Sequence, residues 1–140
     1  MAKEEEKISV FMLKEHGQIL ALLNKFDKSK NAEDFKALRK KQEDHMFAEE
    51  KAIFTFYKEK KKFPVLVTIM EQHEELEDQM NIIEKNLKQN VEEYKKLMKE
   101  HIMLEDKEFY PKLDKDLNPA EQKNMLAKTK DYILGNIGFA

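Results

Sequence analysis

Four histidines, His16, His45, His73 and His101, are the only imidazoles in a chain of 140 residues, and successive ones stand 29, 28 and 28 residues apart. Three are followed four residues on by a glutamate, giving the pairs His45 and Glu49, His73 and Glu77, His101 and Glu105. On an α-helix, residues i and i+4 project from one face in adjacent turns, so each pair offers two ligands to one metal ion. The segment from His101 to Pro111 reads H-I-M-L-E-D-K-E-F-Y-P, and H-M-F-A-E-E-K-A-I-F, 56 residues earlier from His45 to Phe54, nearly repeats it. Imidazoles and carboxylates without thiolate suit iron or manganese in octahedral geometry better than structural zinc. Six or seven such ligands fit two ions about 3.5 to 4 Å apart with carboxylates as bridges.

The elements that must position these residues can be read from composition and periodicity. Charged residues make up 39% of the chain against 41% hydrophobic, with three Gly and three Pro, which favours long amphipathic helices over a sheet. A net charge of -2 leaves no basic footprint for nucleic acid, and no run approaches the roughly 20 apolar residues needed to cross a bilayer. The absence of Cys excludes disulfides, thiolate catalysis and Fe–S clusters. The apolar run after Met1 to Lys7 is too short and too interrupted, by Ser9 and Lys14, for a signal peptide, so a cytoplasmic protein is expected. The length predicts a single domain spanning residues 1–140.

Apolar residues recur at helical steps in four stretches. Helix A follows Ile8, Met12, Ile19, Leu23 and Phe26 and is predicted to end near Phe26. Asn31, with Asp34 three residues on, has the signature of a cap for helix B, which carries Phe35, Leu38, Gln42, His45, Glu49, Ala52, Ile53 and Phe56 and stops before Pro64. Pro64 opens helix C, which carries Leu66, Ile69, His73, Leu76, Glu77, Met80 and Ile83. Helix D runs from Val91 to about Leu113 with His101 and Glu105 in its middle. Asn118-Pro119-Ala120-Glu121 is a capping-box start for a short fifth helix ending at Gly135, read as a lid or an oligomer contact. The predicted fold is all-α, an antiparallel up-down-up-down four-helix bundle with a short C-terminal fifth helix.

Even spacing places each His near the middle of its helix, where the residues of such a bundle meet at one level. A single imidazole in an apolar stripe is ordinarily a hydrogen-bonded core residue. Four at one level, with carboxylates beside them, require something more, because a buried unpaired carboxylate costs at least several kcal/mol. A divalent cation removes that cost. The ferritin-like carboxylate proteins place Glu three residues before each ligand His on two helices. Here those positions are Leu13, Gln42, Met70 and Met98, which disfavours that class.

The chain resembles the hemerythrin-like family, also called the HHE cation-binding domain, over most of its length. The matching residues are His16 in K-E-H-G-Q-I-L, the H-x-x-x-E-E of His45 and Glu49, His73 in E-Q-H-E-E-L, and H-x-x-x-E-D-x-x-x-Y-P from His101 and Glu105 to Pro111. The resemblance implies a centre of two non-haem iron ions bridged by carboxylates and an oxo or hydroxo oxygen. It makes His16, His45, His73 and His101 terminal ligands and Glu49 and Glu105 bridges. It also implies an open iron position for dioxygen or nitric oxide, with Leu20, Met70, Met98 and Leu104 as candidate walls. Two places depart from the oxygen-carrying hemerythrins. Their fifth His is replaced by Glu77, a candidate seventh ligand whose charge would favour the ferric state. Their last helix uses His-x-x-x-x-Asp, which Asp106 would satisfy, but an undistorted helix turns Asp106 about 140° from His101 and Glu105 only about 40°, so Glu105 is preferred. The expected function is binding of dioxygen or a related diatomic; the alternatives are an enzyme turning over peroxide or nitric oxide, and an iron or oxygen sensor or iron-binding protein.

Overall fold

A computed structural model describes residues 7–134, and the predicted helix end at Gly135 lies outside them. The described residues are helical throughout their ordered elements, without a strand. The α-helices are α1 (Ile8–Ser29), α2 (Ala32–Ala48), α3 (Pro64–Lys85), α4 (Glu92–Leu104), α5 (Tyr110–Asp116) and α6 (Pro119–Ile133). Because α4 continues into α5 through a π-helical turn, they form five packed rods.

Local chemistry sets the ends. Helix α1 runs three residues past its predicted stop, because Lys30 adopts a left-handed conformation (φ 54°) and its N–H closes the last turn on the Phe26 carbonyl. Asn31 caps α2 by accepting from the Asp34 N–H at 2.8 Å. Asn118 and Glu121 form the full capping box of α6.

Helices B and D depart from the sequence expectation in one respect. Neither is an uninterrupted α-helix: α2 passes into a π turn over Glu49–Ile53 and then a 3₁₀ turn over Phe54–Phe56, and α4 passes into a π turn over Glu105–Phe109. A π turn holds one more residue than an α turn, so it rotates the downstream residues relative to the stripe before it. Period counting assumes 3.6 residues per turn and cannot see this.

The apolar core is in two parts. One joins Ile8 and Met12 at the start of α1, Ile53 and Phe54 beyond α2, Leu66 and Ile69 at the start of α3, and Phe109 and Leu113 beyond α4. The other joins Phe26 at the end of α1, Phe35 and Leu38 at the start of α2, Met80 and Ile83 at the end of α3, and Tyr94 and Met98 at the start of α4. In each long helix the His falls between residues of the two clusters, so a polar layer separates two apolar ones. Helix α6 packs on α1, α2 and the first π turn, burying Met125, Thr129 and Ile133, so it covers one end of this core rather than standing away from it.

Phe109 is fully buried, and its ring meets those of Phe54, Phe63 and Tyr110 within 5.3–5.8 Å. Phe109→Ala is expected to destabilise the protein by about 3–5 kcal/mol, read as a lowered midpoint in urea denaturation with an unchanged slope.

Candidate metal centre

Six of the seven candidate ligands meet in the polar layer. His16, His45, His73 and His101 are at most 4% exposed, and Glu49 and Glu105 are fully buried. The imidazoles form two pairs, with ring centroids 5.0 Å apart for His16 and His45 and 5.1 Å for His73 and His101. The carboxylates lie between the pairs. Glu49 Oε1 is 3.4 Å from His45 Nε2 and 3.3 Å from His73 Nε2, while Glu105 Oε1 is 2.9 Å from His16 Nε2 and 3.4 Å from His101 Nε2. Each carboxylate therefore reaches one histidine of either pair.

The buried stripes step Gln42, His45, Glu49 and Met98, His101, Glu105, three residues and then four, which brings each glutamate onto the face of its histidine. A π turn begins at each of the two glutamates. The unbroken helix α3 has no such turn, and there the structure corrects the sequence reading. Glu77 lies outside the group, with its side chain 38% exposed and hydrogen-bonded to Arg39 Nη2 at 2.7 Å. In α3 the buried stripe steps Ile69, His73, Leu76, Met80, Ile83, and Glu77 falls on its flank. Asp106 is 22% exposed and also stays out of the central pair. Of the candidate walls, Met98 is buried among apolar residues, Leu20 and Leu104 are partly buried, and Met70 is 39% exposed. The rings that touch the imidazoles are instead Phe54, stacked on His73 at 5.4 Å, and Tyr110, 5.9 Å from His16.

The outer imidazole nitrogens are held by residues that the spacing of the ligands does not reveal. His16 Nδ1 donates to Asp106 Oδ1 at 2.9 Å, His73 Nδ1 to Glu50 Oε2 at 2.8 Å, and His101 Nδ1 to Gln72 Oε1 at 2.9 Å. His45 Nδ1 is 3.9 Å from Glu15 Oε1, and that carboxylate is itself paired with Lys41 at 2.7 Å. An acceptor on Nδ1 fixes the tautomer that leaves Nε2 as the inward donor atom and makes the imidazole a better ligand. A sequence signal existed: Glu15 and Gln72 each precede a histidine, and Glu50 and Asp106 each follow a core glutamate. A residue next to a ligand is turned about 100° from it, toward the neighbouring helix.

In the centre, the Nε2 atoms of His45, His73 and His101, Oε1 of Glu49 and Oε2 of Glu105 are buried without a hydrogen-bond partner. Each such atom costs about 1–3 kcal/mol. Ligand atoms of Glu49, His73, His101 and Glu105 lie within 4.8 Å of one another, as do those of His16, His45 and Glu105. This buried His/Glu group can hold a metal ion, and the orphaned donor atoms fit one.

Protons occupy part of that role in the metal-free protein. Burial pulls His16 and His73 down, but the carboxylates that face them, Asp106 and Glu105 for His16 and Glu49 and Glu50 for His73, outweigh it and raise both to about 10. Burial lowers His45, and lowers His101 to about 3. Burial pushes Glu105 well up, reinforced by the Glu49 charge, whereas the charge of His45 and the proximity of Glu105 and His73 overcome burial at Glu49 and hold it well below the usual carboxylate range. Cationic His73 thus faces an ionised Glu49, and cationic His16 lies against Glu105 and Asp106.

A groove of about 650 Å³ between α2 and α3 reaches this layer, lined by Glu43, Glu50, Glu74, Glu77 and Asp78 around His73. Among the described residues no helix is long and apolar enough to cross a membrane. Comparison with protein-family models, with curated proteins and with solved structures gives no match for this chain.

Between pH 6.5 and 10 the folded metal-free protein binds more protons at His16 and His73 than the unfolded chain does, so its stability falls as pH rises through that window. Melting temperatures of the metal-free protein across this range should show the decline. Metal loading, which needs unprotonated Nε2 atoms, should release about two protons from the same residues near neutral pH, measured by calorimetry in buffers of different ionisation enthalpy. Glu77→Gln, remote from the group, should leave metal stoichiometry unchanged and alter stability by no more than about 1 kcal/mol.

Proposed function

We propose that this chain is a hemerythrin-like protein, an antiparallel up-down-up-down four-helix bundle holding two non-haem iron ions, that binds dioxygen or a related diatomic such as nitric oxide. The observation that carries the reading is the set of buried, partnerless nitrogen and oxygen atoms shared between two histidine pairs and two carboxylates. The bundle topology is supported by the core clusters. Each mixes the starts of two long helices with the ends of the other two, as alternating directions require.

When bound, the iron pair supplies electrons and an exchangeable coordination place for a diatomic molecule. The chain's own residues do the rest. Asp106, Glu50 and Gln72 orient three imidazoles through their outer nitrogens. Phe54, Phe109 and the apolar clusters on either side keep bulk water from the polar layer, which strengthens every electrostatic interaction within it. Glu49 and Glu105 balance the charge of divalent ions and span the two histidine pairs.

The acidic groove against His73 favours a second reading, an iron-binding or iron-sensing protein whose ions exchange with solvent. Carboxylates lining an open path raise the local concentration of cations. Slow removal of iron by a chelator over days speaks for a fixed cofactor, and removal within minutes for the exchanging form.

Anaerobic loading with ferrous iron should give two ions per chain and a higher melting temperature. Admission and removal of oxygen should then produce a visible absorption band that appears and disappears. Irreversible oxidation, or consumption of many equivalents of peroxide per chain, refutes the carrier in favour of an enzyme. Uptake of far fewer than two ions, with no gain in melting temperature, refutes the two-ion centre.

A further inference from the structure

Along its helix, each of the four histidines is flanked on either side by residues that border the two apolar clusters. Toward the first cluster, three or four residues away, stand Met12, Ala48, Ile69 and Leu104, all apolar. Toward the second stand Ile19, Leu76 and Met98, three residues from His16, His73 and His101, and Gln42, three residues from His45. Gln42 is the polar member of this set. It is fully buried, and neither its amide nitrogen nor its amide oxygen has a hydrogen-bond partner among the described residues.

Packing does not explain this side chain. An apolar residue of similar length would occupy the same space without burying two unpaired polar atoms, each of which costs stability. The other unpartnered group beside the second cluster, the Tyr94 hydroxyl, belongs to a residue seven positions before His101, two turns from the polar layer. Gln42 is one turn from it. Helical side chains lean toward the N-terminus, so the His45 imidazole extends over the turn that carries Gln42. On the opposite side of the layer the Tyr110 hydroxyl is already donated to Glu49, and the flanking side chains are apolar.

We propose that Gln42 is a ligand-binding residue of the metal centre, whose amide N–H donates a hydrogen bond to a diatomic molecule or small anion bound there on the side of the second cluster. This rests on the two-ion reading and adds to it the protein group that touches the ligand. Such a donor favours a ligand whose outer atom carries negative charge, because hydrogen bonds to charged acceptors are stronger and the apolar surroundings offer no competing partner. The unpaired amide then trades stability of the metal-free protein for binding.

Gln42→Met keeps the length of the side chain and removes both polar atoms, and Gln42→Leu removes them with a different apolar shape. Azide, a small anion with an outer acceptor nitrogen, serves as the probe. Wild type and variants are loaded with iron, oxidised, analysed for metal and titrated with azide, and the infrared band of bound azide is recorded in H2O and D2O. Two ions are expected in each protein. Both variants should bind azide about tenfold more weakly, and the band should move and become less sensitive to D2O. Tyr94→Phe, two turns away, should match wild type in azide affinity. Without iron, Gln42→Met should melt at a higher temperature than wild type, because the unpaired atoms are gone. Variants with two ions and unchanged azide affinity and band position overturn the role of Gln42 and leave the two-ion reading intact. Lower melting of both metal-free variants overturns it as well, since the amide is then partnered within the fold. Fewer than two ions in wild type overturns both readings.

Discussion

Burying ionisable groups in the middle of an apolar core is the constraint on which this structure depends. Glu49 and Glu105 have no exposure and face four imidazoles with almost none. Apolar clusters above and below lower the dielectric around them, so every unmatched charge is costly and every matched one strong. In the metal-free protein the balance is struck by protons on His16 and His73 and by burial raising Glu105. It is incomplete, because several nitrogen and oxygen atoms still lack partners. A core held together only by packing would not retain such atoms.

The outer ring of acceptors makes the inner arrangement unique. With Nδ1 of His16, His73 and His101 tied to Asp106, Glu50 and Gln72, the rings cannot flip without breaking a hydrogen bond. These acceptors come from the helix next to each histidine's own, so packing of the helices and orientation of the ligands are one problem. Charge is matched as well. Glu15 is neutralised by Lys41, and the corresponding partner in the second half, Gln72, is neutral from the start.

The two π turns join fold to site. Each lets one extra residue into a helix just past a glutamate that faces the centre, and Phe54 and Phe109 beyond it enter the apolar cluster at that end. A regular helix with the same sequence spacing, α3, leaves Glu77 on the flank with Arg39. The same His-x-x-x-Glu spelling therefore has two structural meanings, decided by whether the buried stripe steps four residues or three past the histidine.

Sequence alone determined the helical class, the cap residues Asn31 and Asn118, and the placing of four histidines and two glutamates on buried faces. Those are set by residue type and local period, and local rules suffice for them. Only the tertiary structure decided that Glu77 faces Arg39, that Asp106 holds His16 from outside rather than standing among the central carboxylates, and that Tyr110 reaches Glu49 across 61 residues. Each depends on which helix lies alongside. A period of 3.6 residues fixes which way a side chain leaves its own helix, and says nothing of what meets it there.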